Sequence, residues 1–244
     1  MTCDIFLRSY RADKAWIPFA LRSMYRFVTG VRDIIVSVPA EDIQAFQTLA
    51  LTKEKLVTSN VSTGAMDPYC GQQSDKLHAD LYTDADAILF WDSDVIATRP
   101  FSPSDLLIDG KPRWLITPYA KLVNADGSPA VPWRPITQKA IGRDVEIEAM
   151  RAHPLMATSE ALTAFRRFMD NKHGVSLGEY IARQPNREFS EWNAIGAWAF
   201  YYAPHFFSFW NTEEKGVPEP FVRQFWSWSG VTPEVRMEME KILS

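Results

Sequence analysis

The stretch Ala87-Ile88-Leu89-Phe90-Trp91-Asp92-Ser93-Asp94-Val95 decides the fold. From Asp86 to Trp91 the chain is apolar at almost every position, as a strand buried on both faces of a parallel sheet is. Two acids follow it without a break. Open α/β sheets place their ligands outside the carboxyl ends of the strands, so Asp92 and Asp94 stand where such a sheet keeps its chemistry. The spacing alone carries nothing. About one D-x-D string arises by chance in a chain of this length, and Asp84-Ala85-Asp86 is a second copy. That copy falls in a helix-to-strand turn ahead of the apolar run and is set aside.

Working outward, the first half alternates short apolar runs with helical ones, which suggests βαβ units. Asp4 to Arg8 reads as the opening strand. Asp13 is placed to cap a helix from Lys14 to about Val28, and Gly30 to stop it. Asp33 to Val38 is a second strand, Glu41 to Leu51 a second helix, and Leu56 to Ser59 a short third strand. A turn-rich stretch, Ser62 to Gly71, leads to a helix over Gln72 to Thr83. Beyond the acids, Trp114 to Tyr119 is a further strand and Asn124 to Pro135 a Gly/Pro/Asp-rich loop. Ser159 to Lys172 is an amphipathic helix with Ser159 as its cap, and Gly178 to Arg183 continues in helix. Glu191 to Tyr202 and Phe221 to Trp228 are rich in aromatics.

The 244 residues suit one large domain. Hydrophobic residues make up 46% and charged residues 23%, as in ordinary globular proteins. A net charge of −4 gives no global basic footprint for nucleic acid. Cys3 and Cys70 form no C-x-x-C pair, which excludes a zinc or redox motif of that kind and favours a reducing, cytoplasmic setting. No signal-peptide pattern and no apolar run of about 18 residues stands out.

Two carboxylates at a strand end suit one chemistry in particular. Breaking a nucleotide-sugar bond leaves a diphosphate with growing negative charge, and a divalent ion on the phosphates stabilises it. Hard Mn²⁺ or Mg²⁺ takes oxygen ligands, one or two carboxylates among them. The plain alternative is a turn in which the aspartates bond their own backbone.

The chain resembles short bacterial and phage glycosyltransferases of the GT-A type. The blocks that carry the likeness are Asp4 to Tyr10, Gly71 to Leu77, Ile88 to Val95, Arg99-Pro100, Arg151 to Pro154, Phe189 to Asn193 and Gln224 to Trp228. The resemblance implies a GT-A-like (Rossmann-like) α/β fold. Its mixed, mainly parallel sheet would be flanked by helices, with residues 1–120 as the nucleotide-sugar half. Residues 121–244 would form an irregular, aromatic-rich acceptor side. It implies Asp94 on the metal and Asp92 near the ribose or a metal-bound water, with a UDP-sugar as the first donor to consider.

Further candidates surround the acids. Arg8, Ser9 and Tyr10 follow the first strand, where phosphate, ribose and base would lie. Gln73 and Lys76 share a helix face, and Lys76 suits phosphate as a point charge. Trp226, Ser227 and Trp228 either close the donor pocket, stack on sugar, or pack a core. Glu191 is the candidate general base, with His153 and Asn193 as substrate contacts. His78 reads as a plain helical residue. His205 is the late histidine that a third metal ligand would require, outside any D-x-H pattern. The acceptor stays open. A saccharide is one class; hydroxymethylated pyrimidines in DNA are another, for which Arg134, Lys139, Arg143 and Arg151 would supply charge. A nucleotidyltransferase and a non-catalytic carbohydrate-binding protein are the competing classes.

Overall fold

The computed structural model describes residues 1–244 except 50, 52, 60–65, 125, 132 and 151–152. The strands are β1 (Cys3–Arg8), β2 (Ile34–Val38), β3 (Lys55–Thr58), β4 (Ala87–Asp92), β5 (Val95–Ala97) and β6 (Leu107–Ile108). They continue with β7 (Lys111–Pro118), β8 (Ile147–Glu148), β9 (Leu155–Thr158), β10 (Ser208–Asn211) and β11 (Val222–Gln224). The α-helices are α1 (Ile17–Phe27), α2 (Ile43–Gln47), α3 (Pro68–Leu77), α4 (Arg134–Ile141) and α5 (Ser159–His173). Then come α6 (Leu177–Ala182), α7 (Glu191–Tyr202), α8 (Thr212–Lys215) and α9 (Pro233–Leu243).

The central sheet has the order β3-β2-β1-β4-β9. The first four strands run parallel and β9 is antiparallel to β4. Strand alternation divides the core between the two faces. Phe6, Ile88 and Phe90 point to one face, under residues of α3, α5 and α7. Ile5, Leu7, Val36, Leu89 and Trp91 point to the other, under α1 and α9. The expected α/β architecture, a mainly parallel sheet flanked by helices, is what forms. A second sheet has the order β10-β7-β6, with β8 also on β7, and β11 pairs with β5.

The helix boundaries differ from the sequence expectation in instructive ways. Asp13 does not cap α1, which begins at Ile17 with Pro18 in its first turn. The second helix keeps only Ile43–Gln47 behind a short 3-10 turn. α3 starts earlier than expected, because the Asp67 side chain accepts from the amides of Tyr69 and Cys70 and Pro68 opens the helix. Thr158, one residue before Ser159, caps α5. Strands β5, β9 and β10 were not expected. Each has three or four residues, and pairing with distant chain holds them.

Candidate functional site

Register brings the first half of the site together. Arg8 at the end of β1 lies opposite Asp92 at the end of β4. Asp92 closes β4, and Ser93-Asp94 turns the chain into β5. β5 is then covered by β11, with Gln224 opposite Val95. The C-terminal segment is thereby stitched to the acids. Phe225 N donates to the Asp94 carbonyl at 2.9 Å, and Ser227 N to Asp94 Oδ2 at 2.7 Å. Trp226, between them, holds a left-handed φ of 60°, a conformation costly for a bulky side chain and typical of functional sites.

Asp92 anchors a buried network. Lys76 Nζ lies 2.7 Å from Asp92 Oδ1 and 3.2 Å from Glu191 Oε1, and 5.3 Å from the centre of the Trp192 ring. His153 Nε2 is 3.3 Å from Asp92 Oδ2. Gln73 Oε1 accepts from Glu191 N at 3.0 Å. On the other side of the turn, Ser93 Oγ donates to Asp13 Oδ2 at 2.8 Å.

The two acids are held in different electrostatic states. Burial alone would raise Asp92, but Lys76 and then His153 outweigh it and hold the carboxyl far below the usual range. Lys76 is held above its ordinary value, because Asp92 and Glu191 outweigh the penalty of its burial. Asp94 is pushed up by burial and then by the Asp92 charge. Asp13 is pushed up by burial, with Asp92 adding to it. Burial likewise raises Glu191. The direct hydrogen-bond donors recorded on Asp94 and Asp13 are neutral. This side of the turn therefore gathers negative charge that a cation would relieve.

Among the described residues no three His, Cys, Asp or Glu side chains converge to cage a metal. The donor set still fits a hard divalent ion in one form, where one or two carboxylates are joined by substrate phosphates and water. Buried polar atoms without a recorded partner, Ser9 Oγ and Gln73 Nε2, belong to two of the expected donor-contact residues.

Other expected site residues are placed as follows. Arg8 is buried, with its Nε on Asp75 and its Nη1 on the Ser9 carbonyl, so two of its three guanidinium nitrogens are already engaged within the fold. Tyr10 stands half exposed at the rim, its hydroxyl pushed up by burial and by Asp13 and Asp94. Trp226 and Trp228 are exposed and stacked, 5.0 Å between centres at 12°; they are not core. Asn193 points inward. It accepts from Ala149 N and donates to Ser190 Oγ, and at 1% exposure it has no surface for a sugar. His78 Nδ1 donates to the Ser74 carbonyl four residues back, a local bond at the end of α3. His205 lies against Phe206. Arg134, Lys139 and Arg143 meet Val145 O, Gln184 and Tyr201; Arg151 lies outside the described residues. The discarded Asp84 and Asp86 sit at the opposite end of β4, on Arg32 and Thr2.

Two acids escaped the sequence reading. Asp75, fully buried, holds Arg8 and Ser59. Nothing in a helical Ser-Asp-Lys marks its depth. Asp13, read as a helix cap, faces the Ser93 hydroxyl.

No family model and no curated relative matches the sequence. The fold is similar to a solved structure described as the glycosyltransferase GlyE of Streptococcus pneumoniae TIGR4. The TM-score is 0.55 at 12% identity, over 100% of this chain. The match spans 60% of the length of the GlyE chain. At that identity the likeness is one of fold.

Proposed function

We propose that the chain is a glycosyltransferase that moves a sugar from a nucleotide-sugar donor, a UDP-sugar first among them, with Mn²⁺ or Mg²⁺. The observation that carries the reading is Asp92-Ser93-Asp94 at the carboxyl end of β4, walled by Lys76, His153 and the C-terminal segment. The fold likeness to a glycosyltransferase supports it. The bound ion supplies Lewis-acid stabilisation of the diphosphate leaving group. Asp94 and Asp92 are the residues that would hold it, and the negative charge gathered around Asp94 favours a cation there.

The remaining roles follow from placement. Lys76 keeps Asp92 ionised. Tyr10, Trp226 and Trp228 offer exposed aromatic faces at the rim for a base or a sugar. Glu191 remains the candidate base for the acceptor proton. Burial raises its carboxyl above the ordinary value, the direction that favours proton uptake by a general base.

The test is a thermal-shift titration with UDP, GDP and CDP, each with and without Mn²⁺. A ligand at about 100 times its Kd adds roughly 2.7 kcal/mol, which is about 5–10 °C for a chain of this size. A metal-dependent rise with at least one nucleotide is expected. No shift with any of the three would sink the reading.

A further inference from the structure

A crevice lies against the β9 edge of the central sheet. Arg113 and Leu115 of β7 line it, with His153, Pro154 and the loop from Pro218 to Phe221. Alternation along β7 explains why a guanidinium is there. Trp114 and Ile116 turn into the core, so Arg113 and Leu115 face the other way.

Arg113 is partly buried, and among the described residues it has no carboxylate partner. Its recorded contact is the Trp210 ring, 5.9 Å from guanidinium carbon to ring centre. Lys215 Nζ sits 5.1 Å from the centre of the same ring and also lacks an acid among the described residues. The acids nearby are engaged elsewhere: Glu219, which lines the crevice, with Arg99 at 3.1 Å; Glu213 with Lys121 at 3.3 Å; and Glu214 with Asn211 at 2.9 Å. Two cations thus share one indole without a carboxylate counter-ion among the described residues, and burial pushes Arg113 below its ordinary value. A partly desolvated guanidinium is well suited to a planar or tetrahedral oxyanion. The location gives that anion a context. His153, a wall of the crevice, is 3.3 Å from Asp92.

We propose that this crevice binds an anionic group, a carboxylate or a phosphate, carried by the acceptor sugar, with Arg113 as counter-ion and Lys215, which shares the Trp210 ring with it, as a second cation close by. That the anion belongs to an acceptor rests on the transferase reading; that the crevice binds an anion does not.

The test is calorimetric titration at low salt with glucuronate, glucose 6-phosphate and glucose, the two acids separating carboxylate from phosphate. At least one acid sugar is expected to bind about tenfold more tightly than glucose, ~1.4 kcal/mol. Arg113→Gln should erase that preference and Arg113→Lys should keep most of it. Lys215→Gln should weaken it. All three variants should retain the thermal shift with nucleoside diphosphate and Mn²⁺. Equal binding of the three sugars, or a preference that survives Arg113→Gln, overturns the proposal. So does loss of the nucleotide shift in Arg113→Gln, which would place the guanidinium on the donor. If the wild type shows the acid preference but no nucleotide shift, the crevice stands and the transferase reading falls.

Discussion

Asp92 and Asp94 are two residues apart and their carboxyls are pushed in opposite directions. Asp92 is held ionised by Lys76 and the hydrogen bond from His153, whereas Asp94 feels burial and the charge of Asp92. Asp94→Asn removes a charge that the fold disfavours. It is expected to leave the melting temperature unchanged or higher while abolishing both donor hydrolysis and the nucleotide-plus-Mn²⁺ shift. A variant that keeps its hydrolysis rate would take Asp94 out of the site. Lys76 behaves in the opposite way. Lys76→Met strands the buried Glu191 beside the partly buried Asp92, a loss of about 3–5 kcal/mol in urea unfolding by the cost of breaking a buried pair. Adding Glu191→Gln should recover part of it, because one of the two stranded charges is gone. A mild Lys76→Met phenotype would mean that water reaches the network.

At the scale of elements, short strands do the positioning. β5 has three residues and β11 three, yet their antiparallel pairing fixes Trp226 and Ser227 over the acids. α7 does the same from the opposite face. Its first residue is Glu191, its Trp192 packs on Phe90 at 4.7 Å between centres, and its Gly196 lets Trp114 of β7 and Ala149, just after β8, approach. A Cβ at Gly196 would lie 2.5 Å from both Ala149 Cβ and Trp114 Nε1. Gly196→Ala is therefore expected to lose about 1–3 kcal/mol by overpacking, read as a lower urea midpoint. An unchanged midpoint would show that α7 shifts freely, and then it would not hold Glu191 rigidly.

Across the whole molecule, buried carboxylates set the pH response. Asp13, Asp94 and Glu191 have folded-state values above their unfolded ones. Their ionised forms burden the fold at neutral pH, and the burden lifts as pH falls through those raised values. Asp4 is the reverse. Burial would raise it, but Arg32 and Thr83 outweigh burial and hold it below its ordinary 3.8. Its stabilisation is complete above that value and is lost as pH drops through the lowered one. Without metal, the melting temperature should pass through a maximum on the acid side of neutrality and fall below about pH 4. Asp94→Asn should flatten the rise. A melting temperature climbing steadily to pH 8 would contradict this. No helix among the described residues is long and apolar enough to cross a membrane.

The sequence by itself determined the longer elements around the central sheet and one end of the site. The apolar run before Asp92 has the appearance of a strand covered on both faces, and the alternation of β1 and β4 between the faces follows once they are strands. Chain order places Asp92 and Asp94 at a carboxyl end, and Glu191 to Tyr202 stands out by its aromatics, although that composition does not mark it as a helix. Tertiary structure decided the rest. β9 runs antiparallel and delivers His153 to Asp92 from 61 residues away in sequence. β11 delivers Ser227 to Asp94 across 133 residues. Such pairings depend on backbone hydrogen bonds that nearly any side chain permits, so short strands carry no local signal. Burial decided which charges are committed, as with Arg8 on Asp75, and which stay open, as with Arg113. A one-dimensional pattern holds neither, because both depend on which side chains distant segments bring within a few ångströms.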